Sequence, residues 1–548
     1  MPGAKGAGAD VKTAKTYDAV IVGAGFAGMY MLYRLRGMGL ATHVFEAGSD
    51  VGGTWFWNRY PGARVDVESQ EYSYSFSKEL EEDWHWTERY SAQPEILKYA
   101  NHVADRFNLR RDISFNTRVV SARYDDATGL WRIMTDHGAT ITARFCIMAT
   151  GCLSAAKTPD IPGAGTFRGE TYSTATWPAE GVDFTGKRVG IIGTGSSGIQ
   201  TITAIAPDVG DLVVFQRTPN FSVPAHNHPL DPEVREDWLT RRDEYRDMQR
   251  QSGVGILAVS PREGFALEAT PEERHEEFEA RWGKGGFCLA AAFRDIGVDR
   301  AANDLLVDFV ADKIRGIVKD PETADRLIPK TYPIGAKRLV VDTGYFEVYN
   351  RDNVHLVDLN ETPIETITET GIRTRERDYD FDAIIYAIGF DAMTGALDRI
   401  DIRGHGGLPL REKWAAGPVT YLGLMVSGFP NLFLITGPGS PSVLSNMLVS
   451  IEQHVDWITN CIGELADRQL STIEPMPGAE AEWVAHVNEV ASGTLYLQAN
   501  SWYLGANVPG KPRVFMPYVG GVGAYREKCD AVAANDYEGF ELSRVPGS

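Results

Sequence analysis

Cysteine is scarce and unpatterned in this chain. The 548 residues hold five (Cys146, Cys152, Cys288, Cys461 and Cys529), an odd number with no Cys-x-x-Cys among them. That excludes a disulfide framework and a thiolate zinc site, and points to a reducing cytoplasm. The eleven histidines form no metal-like cluster, so no metal is expected, and no Gly-x-Ser-x-Gly elbow offers a serine nucleophile. Cations are in deficit: 54 Lys and Arg stand against 74 Asp and Glu, a formal charge of −20. Such a chain has no general attraction for nucleic acid or an anionic membrane, so any phosphate site must be built locally. Long apolar runs are missing too. Met1–Thr16 is rich in Gly, Ala and Lys, has no apolar stretch, and reads as a loose tail rather than a signal peptide. Trp414–Ile451 carries no charge, but Pro418, Pro430, Pro438 and Pro441 and a series of glycines interrupt it. A membrane helix needs about 20 helix-compatible apolar residues, so buried core and active-site lining are expected there. With 43% hydrophobic and 23% charged residues, the rest has the balance of a globular enzyme, long enough for about three domains.

What the sequence does have is the same glycine signature twice. The strand-like Asp18–Val22 enters Gly23-Ala24-Gly25-Phe26-Ala27-Gly28, followed by Met31, Leu32 and Leu35 at helical spacing. The first glycine permits a tight turn, the second lets backbone approach a pyrophosphate, and the third lets helix and strand pack closely. The helix N-terminus supplies unpaired N–H groups to the anion. A second strand, Thr42–Phe45, ends at Glu46, placed to bind ribose hydroxyls. The pattern recurs where Lys187–Ile192 enters Gly193-Thr194-Gly195-Ser196-Ser197-Gly198, with Gln200 in the helix, and Leu212–Gln216 ends at Arg217. Glu46 would repel a 2′-phosphate, so the first site suits FAD or NAD. Arg217 would pair with one, so the second suits NADPH; the alternative is a solvated strand-end cation.

The expected fold is α/β, with two Rossmann-like dinucleotide-binding domains, for FAD and NADP, and a helical insertion in the second. After a tail over 1–16, the flavin domain takes 17–151. The NADP domain takes 152–385, with its insertion at about 222–332, and the flavin domain resumes over 386–548 with a C-terminal mobile loop. Phe145–Gly151 marks the exit from the flavin domain and Phe381–Asp391 the return. Asp231–Trp282, dense in charge with periodic apolar residues, reads as exposed helices that either shape a cleft or form a solvated appendage.

After Glu46 comes Gly52-Gly53-Thr54-Trp55. Disulfide reductases of this general architecture place a redox cysteine here; this chain has none before Cys146. The run continues to Tyr60-Pro61-Gly62-Ala63-Arg64-Val65-Asp66. At this point the chain resembles the type I Baeyer–Villiger monooxygenases, which carry Gly-Gly-x-Trp … Tyr-Pro-Gly-x-x-x-Asp. Their second fingerprint, Phe-x-Gly-x-x-x-His-x-x-x-Trp-Pro, falls at Phe167, Gly169, Ser173, Trp177 and Pro178, with Ser173 in place of the histidine. The likeness spans nearly the whole chain after the tail and is nearest the phenylacetone and steroid monooxygenase branch.

The resemblance implies a flavoprotein that uses NADPH and O2 to turn ketones, bulky, aromatic or cyclic, into esters or lactones through a C4a-peroxyflavin. The alternatives are a flavin N- or S-oxygenase, and an uncoupled NADPH oxidase or nucleotide-binding protein. It makes Arg338, in Ile334-Gly335-Ala336-Lys337-Arg338, the active-site arginine, held by Asp66. From the residues alone Arg338 is equally a nucleotide-phosphate contact like Lys337. A permanent guanidinium would stabilise the oxygen anions of such a reaction. By the same resemblance Lys337, Arg217 and Thr218 share the 2′-phosphate. Trp502, otherwise read as a core aromatic, contacts NADP; Thr54, Trp55, Tyr72, Val119 and Met447 lie at FAD and Arg64 near NADP; Pro441, Ser442, Val443 and Leu444 line the substrate pocket. A small ketone and O2 are the expected partners, with no nucleic acid or membrane, and a monomer is favoured.

Overall fold

The computed structural model describes residues 15–544; the tail expected over 1–16 lies almost wholly outside them. The first sheet has eight strands. Thr16–Val22 is central, paired in parallel with Thr42–Phe45 on one side and Thr140–Met148 on the other. Leu130–Thr135 and Val119–Asp125 continue the sheet antiparallel, while Ile113–Ser114 extends the opposite edge. Two strands from much later in the chain complete it: Leu432–Leu434 on Thr140–Met148 and Asp401–Arg403 on Val119–Asp125. The second sheet is parallel throughout and has five strands, in the order Val354–Asp358, Asp211–Gln216, Arg188–Ile192, Ala383–Tyr386, Glu170–Ser173. Parallel strands need crossovers and bury both faces, which explains the unbroken apolar runs at Ala19–Val22 and Val189–Ile192, all buried.

Both glycine turns have one construction. Gly23 and Gly193 sit at φ of 105° and 111°, a region open to glycine at little cost. Each lies against the segment that leaves its sheet: a Cβ at Gly23 would stand 2.6 Å from the Ala149 carbonyl oxygen, and one at Gly193 would overlap that of Ala387. A Cβ at Gly28 or Gly198 would overlap the carbonyl of Gly23 or Gly193 in turn. The exit segment around Ala155 and the return segment around Phe390 lie side by side, with an antiparallel bridge from Ala156 to Phe390 and a 2.9 Å bond from Asp391 N–H to the Ala155 carbonyl. Within the expected return segment Phe381–Asp391 the strand is Ala383–Tyr386, because the chain turns at Ala387 to cover the second glycine loop.

The helices expected over Asp231–Trp282 are Pro232–Thr240, Arg242–Gln251 and Pro271–Lys284, capped by Asp231 and by a Thr270–Glu273 capping box. Residues 252–270 form no helix, a departure from the uniform reading. Nor is Arg242–Gln251 wholly exposed. Arg246 and Gln249 are buried, Arg246 bonding Ser73 at 2.7 Å and pairing with Glu81 at 3.2 Å. A buried cation is costly unless paired and hydrogen-bonded, so this contact fixes the insertion on the chain that follows Asp66. Trp414–Ile451 is almost entirely buried, and no helix among the described residues is long and apolar enough to cross a membrane.

Candidate active site

The first turn ends in the helix Phe26–Gly37, whose N-cap Gly25 makes no side-chain cap and whose first turn carries no acid. Its amide end is thus available to an anion. Gly53, at φ 54°, packs on it; a Cβ there would stand 2.8 Å from Gly25 Cα, so the Gly52-Gly53 turn needs glycine to close over the first. Glu46 is buried, its carboxylate accepting from Ala24 N–H at 2.7 Å and Gly48 N–H at 2.6 Å. These bonds fix a negative group at the strand end, suited to ribose hydroxyls and hostile to a second phosphate. Thr54 is exposed and begins the short helix Thr54–Trp57. Trp55 is buried and donates from Nε1 to Tyr72 Oη at 3.1 Å, and burial pushes the Tyr72 phenol up to about 12. The cradle fits FAD.

The second turn repeats this with a different electrostatic sign. Gly195 caps Ser196–Ile205 without a side-chain bond, and no protein atom lies within 4 Å of where its Cβ would be. Thr194 Oγ1 donates to the Thr218 carbonyl at 3.1 Å, drawing the end of the next strand to the turn. Lys337 lies over the Tyr332 ring at 4.2 Å; burial and the neighbouring Arg217 both lower its pKa. Neither Lys337 nor Arg217 has a carboxylate partner among the described residues. Two neighbouring cations without a carboxylate partner are the kind of pair that can take a phosphate.

Arg338 follows Lys337 in the chain and is held by Asp66. Its Nε and one terminal nitrogen donate to the two oxygens of Asp66 at 2.9 and 2.7 Å, and the other terminal nitrogen donates to the Val443 carbonyl at 3.0 Å. The Phe287 ring lies 4.7 Å from the guanidinium carbon. Burial disfavours the charge, but Asp66 more than offsets it, so the pKa is held above its ordinary value. A guanidinium has five N–H donors; three are spent on these partners, leaving two for a ligand. The motif spacing explains the pairing. Gly62 has no side chain because a Cβ would overlap the Gln200 carbonyl, and this close approach seats the Tyr60–Asp66 run on the second helix. Gln200 completes that seam, accepting from Tyr60 Oη at 2.9 Å and donating to the Arg64 carbonyl at 3.1 Å. Both its polar ends are thus taken by protein, and the Arg64 guanidinium is paired with Glu88.

Ser442–Leu444 forms a 3-10 turn after Pro441, with Ser442 buried at φ 29°. Val443, Leu444, Met447, Tyr496, Trp502 and Tyr503 share one apolar cluster. The side chains expected at the substrate are thus brought to Arg338 by the Val443 carbonyl. Trp502 is half-buried with its ring 4.3 Å from that of Tyr503. Val119 is instead buried in the core of the first sheet. Three contributors were not anticipated. The Val443 carbonyl is backbone and leaves no residue signal. Phe287 lies in the insertion with nothing local to mark it. Tyr503, whose phenol is pushed up by burial although Arg338 opposes that, sits beside the more conspicuous Trp502.

Comparison with known proteins agrees with this geometry. A family model described as pyridine nucleotide-disulphide oxidoreductase matches residues 20–248, although all five cysteines here are buried free thiols. A solved structure of an oxidized steroid monooxygenase bound to NADP is 53% identical, covers 97% of this chain and 100% of its own, and superposes with a TM-score of 0.93. A Baeyer–Villiger monooxygenase of Pseudooceanicola batsensis is 43% identical over 96% of this chain and 97% of its own length. A phenazine N-monooxygenase of Lysobacter antibioticus is 42% identical over 97% and 98%. With such likeness along nearly its whole length, two glycine turns of one construction and the Arg338–Asp66 pair, the chain belongs to the Baeyer–Villiger monooxygenase family.

Proposed function

We propose that the protein is an FAD-containing monooxygenase that uses NADPH and O2 to insert one oxygen atom beside the carbonyl of a bulky, aromatic or cyclic ketone, giving an ester or lactone. The observation that carries this is the Arg338 guanidinium, held bidentately by Asp66 with two donors unspent, against the apolar cluster of Val443, Leu444 and Met447. FAD, reduced by NADPH, would supply the activated oxygen. The chain's own residues do the rest. Gly25 and Gly195 present helix ends to the two pyrophosphates, and Glu46, Arg217 and Lys337 sort the nucleotides by the sign of their charge. The apolar cluster excludes water and seats the ketone. Arg338 stabilises negative charge on the carbonyl oxygen as it becomes tetrahedral, the role of a preorganised donor in a dry site. Ester formation from a panel of cyclic and aryl ketones, with one atom of ¹⁸O₂ in each product, tests the reading. The phenazine-oxidising relative favours N-oxygenation as the second reading; turnover of aromatic N-heterocycles without ketone turnover would establish it.

Domain limits of 17–151, 152–385 and 386–548, and a monomer in a reducing cytoplasm, belong to the same proposal; the unpaired thiols support the compartment. Arg217→Ala is expected to raise the NADPH KM at least tenfold and the NADH KM less than twofold. Equal changes would remove the phosphate role. Ser173 ends the strand Glu170–Ser173, and among the described residues its hydroxyl accepts only from Ala175 N–H, at 3.3 Å, in its own turn. The next residue, Thr174, reaches Ser197 of the second glycine motif at 3.1 Å. Restoring the family's residue with Ser173→His should therefore change NADPH consumed per product, with FAD content constant. An unchanged ratio and rate would mark the serine as silent.

A further inference from the structure

The helix Pro271–Lys284 stops at two glycines held in backbone conformations that other residues rarely adopt. Gly285, at φ 74° and ψ −179°, lies in a region essentially reserved for glycine. A Cβ there would stand 2.4 Å from the Pro224 carbonyl oxygen. Gly286, at φ 70°, would place a Cβ 2.3 Å from Tyr90 Oη. The turn is clamped from two directions. Arg281 donates to the Cys288 carbonyl at 2.9 Å, and Cys288 Sγ donates to the Gly285 carbonyl at 3.1 Å. Arg89, itself paired with Glu68 at 2.7 Å, donates to the Lys284 carbonyl at 2.9 Å. The residue that follows the two glycines is the half-buried Phe287, and the Arg338 guanidinium carbon stands over its ring, 4.7 Å from the centroid. The aromatic neighbour of Arg338 and its anionic partner Asp66 are therefore both set by the stretch 66–90.

Asp66 and the Val443 carbonyl engage N–H groups, and these lie in the guanidinium plane. Neither covers the faces of that plane. A guanidinium is weakly hydrated and stacks on aromatic rings, whose π-face attracts a cation. Phe287 takes one of the two faces. We propose that Phe287 is a positioning residue for oxygen insertion: its ring shields Arg338 from water and holds the guanidinium plane so that the two unspent N–H groups meet the ketone oxygen. This role rests on the reading that Arg338 stabilises that oxygen as it becomes tetrahedral. It also gives the helical insertion a part in the chemistry, because Phe287 reaches Arg338 from a turn seated on Tyr90 and Arg89. A preorganised donor acts on the transition state more than on the bound ketone. Loss of the ring should therefore lower the rate at saturation and leave the half-saturating ketone concentration little changed. A wall that only seats the ketone would move the second quantity instead.

The test is a single turnover of FAD-loaded enzyme, reduced with NADPH and mixed with O2 and a ketone of the panel that the parent converts. Phe287→Leu keeps the apolar bulk and removes the π-face. It should lower the saturating rate of ester formation about tenfold, the scale of a desolvated cation–π contact, with the half-saturating concentration within about twofold. FAD content and melting temperature should match the parent. Phe287→Tyr keeps the ring and should recover the rate to within about threefold of the parent. In the Arg338→Ala background, Phe287→Leu should cost less than about twofold, because no guanidinium remains to be held. A parent-like rate in Phe287→Leu, no recovery in Phe287→Tyr, or an equal loss in both backgrounds overturns the proposal; the last would make the ring a wall of the ketone pocket. Failure of the underlying reading looks different, since Arg338→Ala would then itself keep ester formation. A crippled Arg338→Ala beside an unimpaired Phe287→Leu removes only the role of Phe287.

Discussion

Arg338→Ala is expected to leave FAD bound and to reduce ester formation by a factor of about 10²–10³, the loss of about 3–4 kcal/mol that accompanies removal of one preorganised oxyanion donor. The flavin cradle is built from Gly23–Gly28, Glu46 and the Gly52-Gly53 turn, none of which touches Arg338. Folding should tolerate the change because Asp66, which loses its partner, is 30% exposed and reaches water. Arg338→Lys is informative beside it. A lysine keeps the charge but cannot hold both Asp66 oxygens and the Val443 carbonyl while presenting two further N–H groups. It should recover little of the activity. Ester formation by Arg338→Ala within about tenfold of the parent, roughly 1.4 kcal/mol, would remove the arginine from the chemistry.

The parts of this site that could be read in advance are those whose physics is local. Both glycine turns are specified within six residues, because the tight turn, the exposed amide end and the helix–strand contact each need a missing side chain at a fixed place. The opposite signs of Glu46 and Arg217 are legible for the same reason: each ends the strand that follows a turn. The Arg338–Asp66 pair is different. Its members lie 272 positions apart, so nothing in composition or periodicity joins them, and only the resemblance to a family did. The Val443 carbonyl was illegible for a further reason, since a backbone acceptor exists at every position. Arg242–Gln251 misled in the opposite direction. Its strongly charged sequence suggests a solvated helix, yet burial of Arg246 is made tolerable by Ser73, Gln249 and Glu81, which no local pattern announces.

The second glycine motif permits a sharper separation of binding from folding, and the expected effect is again large. Gly195 and Gly198 stand three residues apart but need to be glycine for different reasons. A methyl at Gly198 would overlap the Gly193 carbonyl oxygen, so Gly198→Ala should damage the fold itself. A methyl at Gly195 would meet no protein atom within 4 Å, and its backbone, at φ −81° and ψ −174°, is extended and open to alanine. The protein alone thus gives no reason for glycine at 195. The proposed seat of the NADP pyrophosphate on the uncapped helix end supplies one, since it would need the close approach of a ligand to the Gly195 backbone. Gly195→Ala is accordingly expected to keep the parent's melting temperature and FAD content while weakening NADP+ binding about 30-fold or more. That corresponds to about 2 kcal/mol at roughly 1.4 kcal/mol per factor of ten. Equilibrium titration of the oxidised holoenzyme with NADP+, beside thermal unfolding of the same samples, measures both quantities. Parent-like affinity in a normally folded Gly195→Ala enzyme would mean that the pyrophosphate does not lie over this turn, and the nucleotide would have to be placed elsewhere along the edge between Arg217 and Arg338.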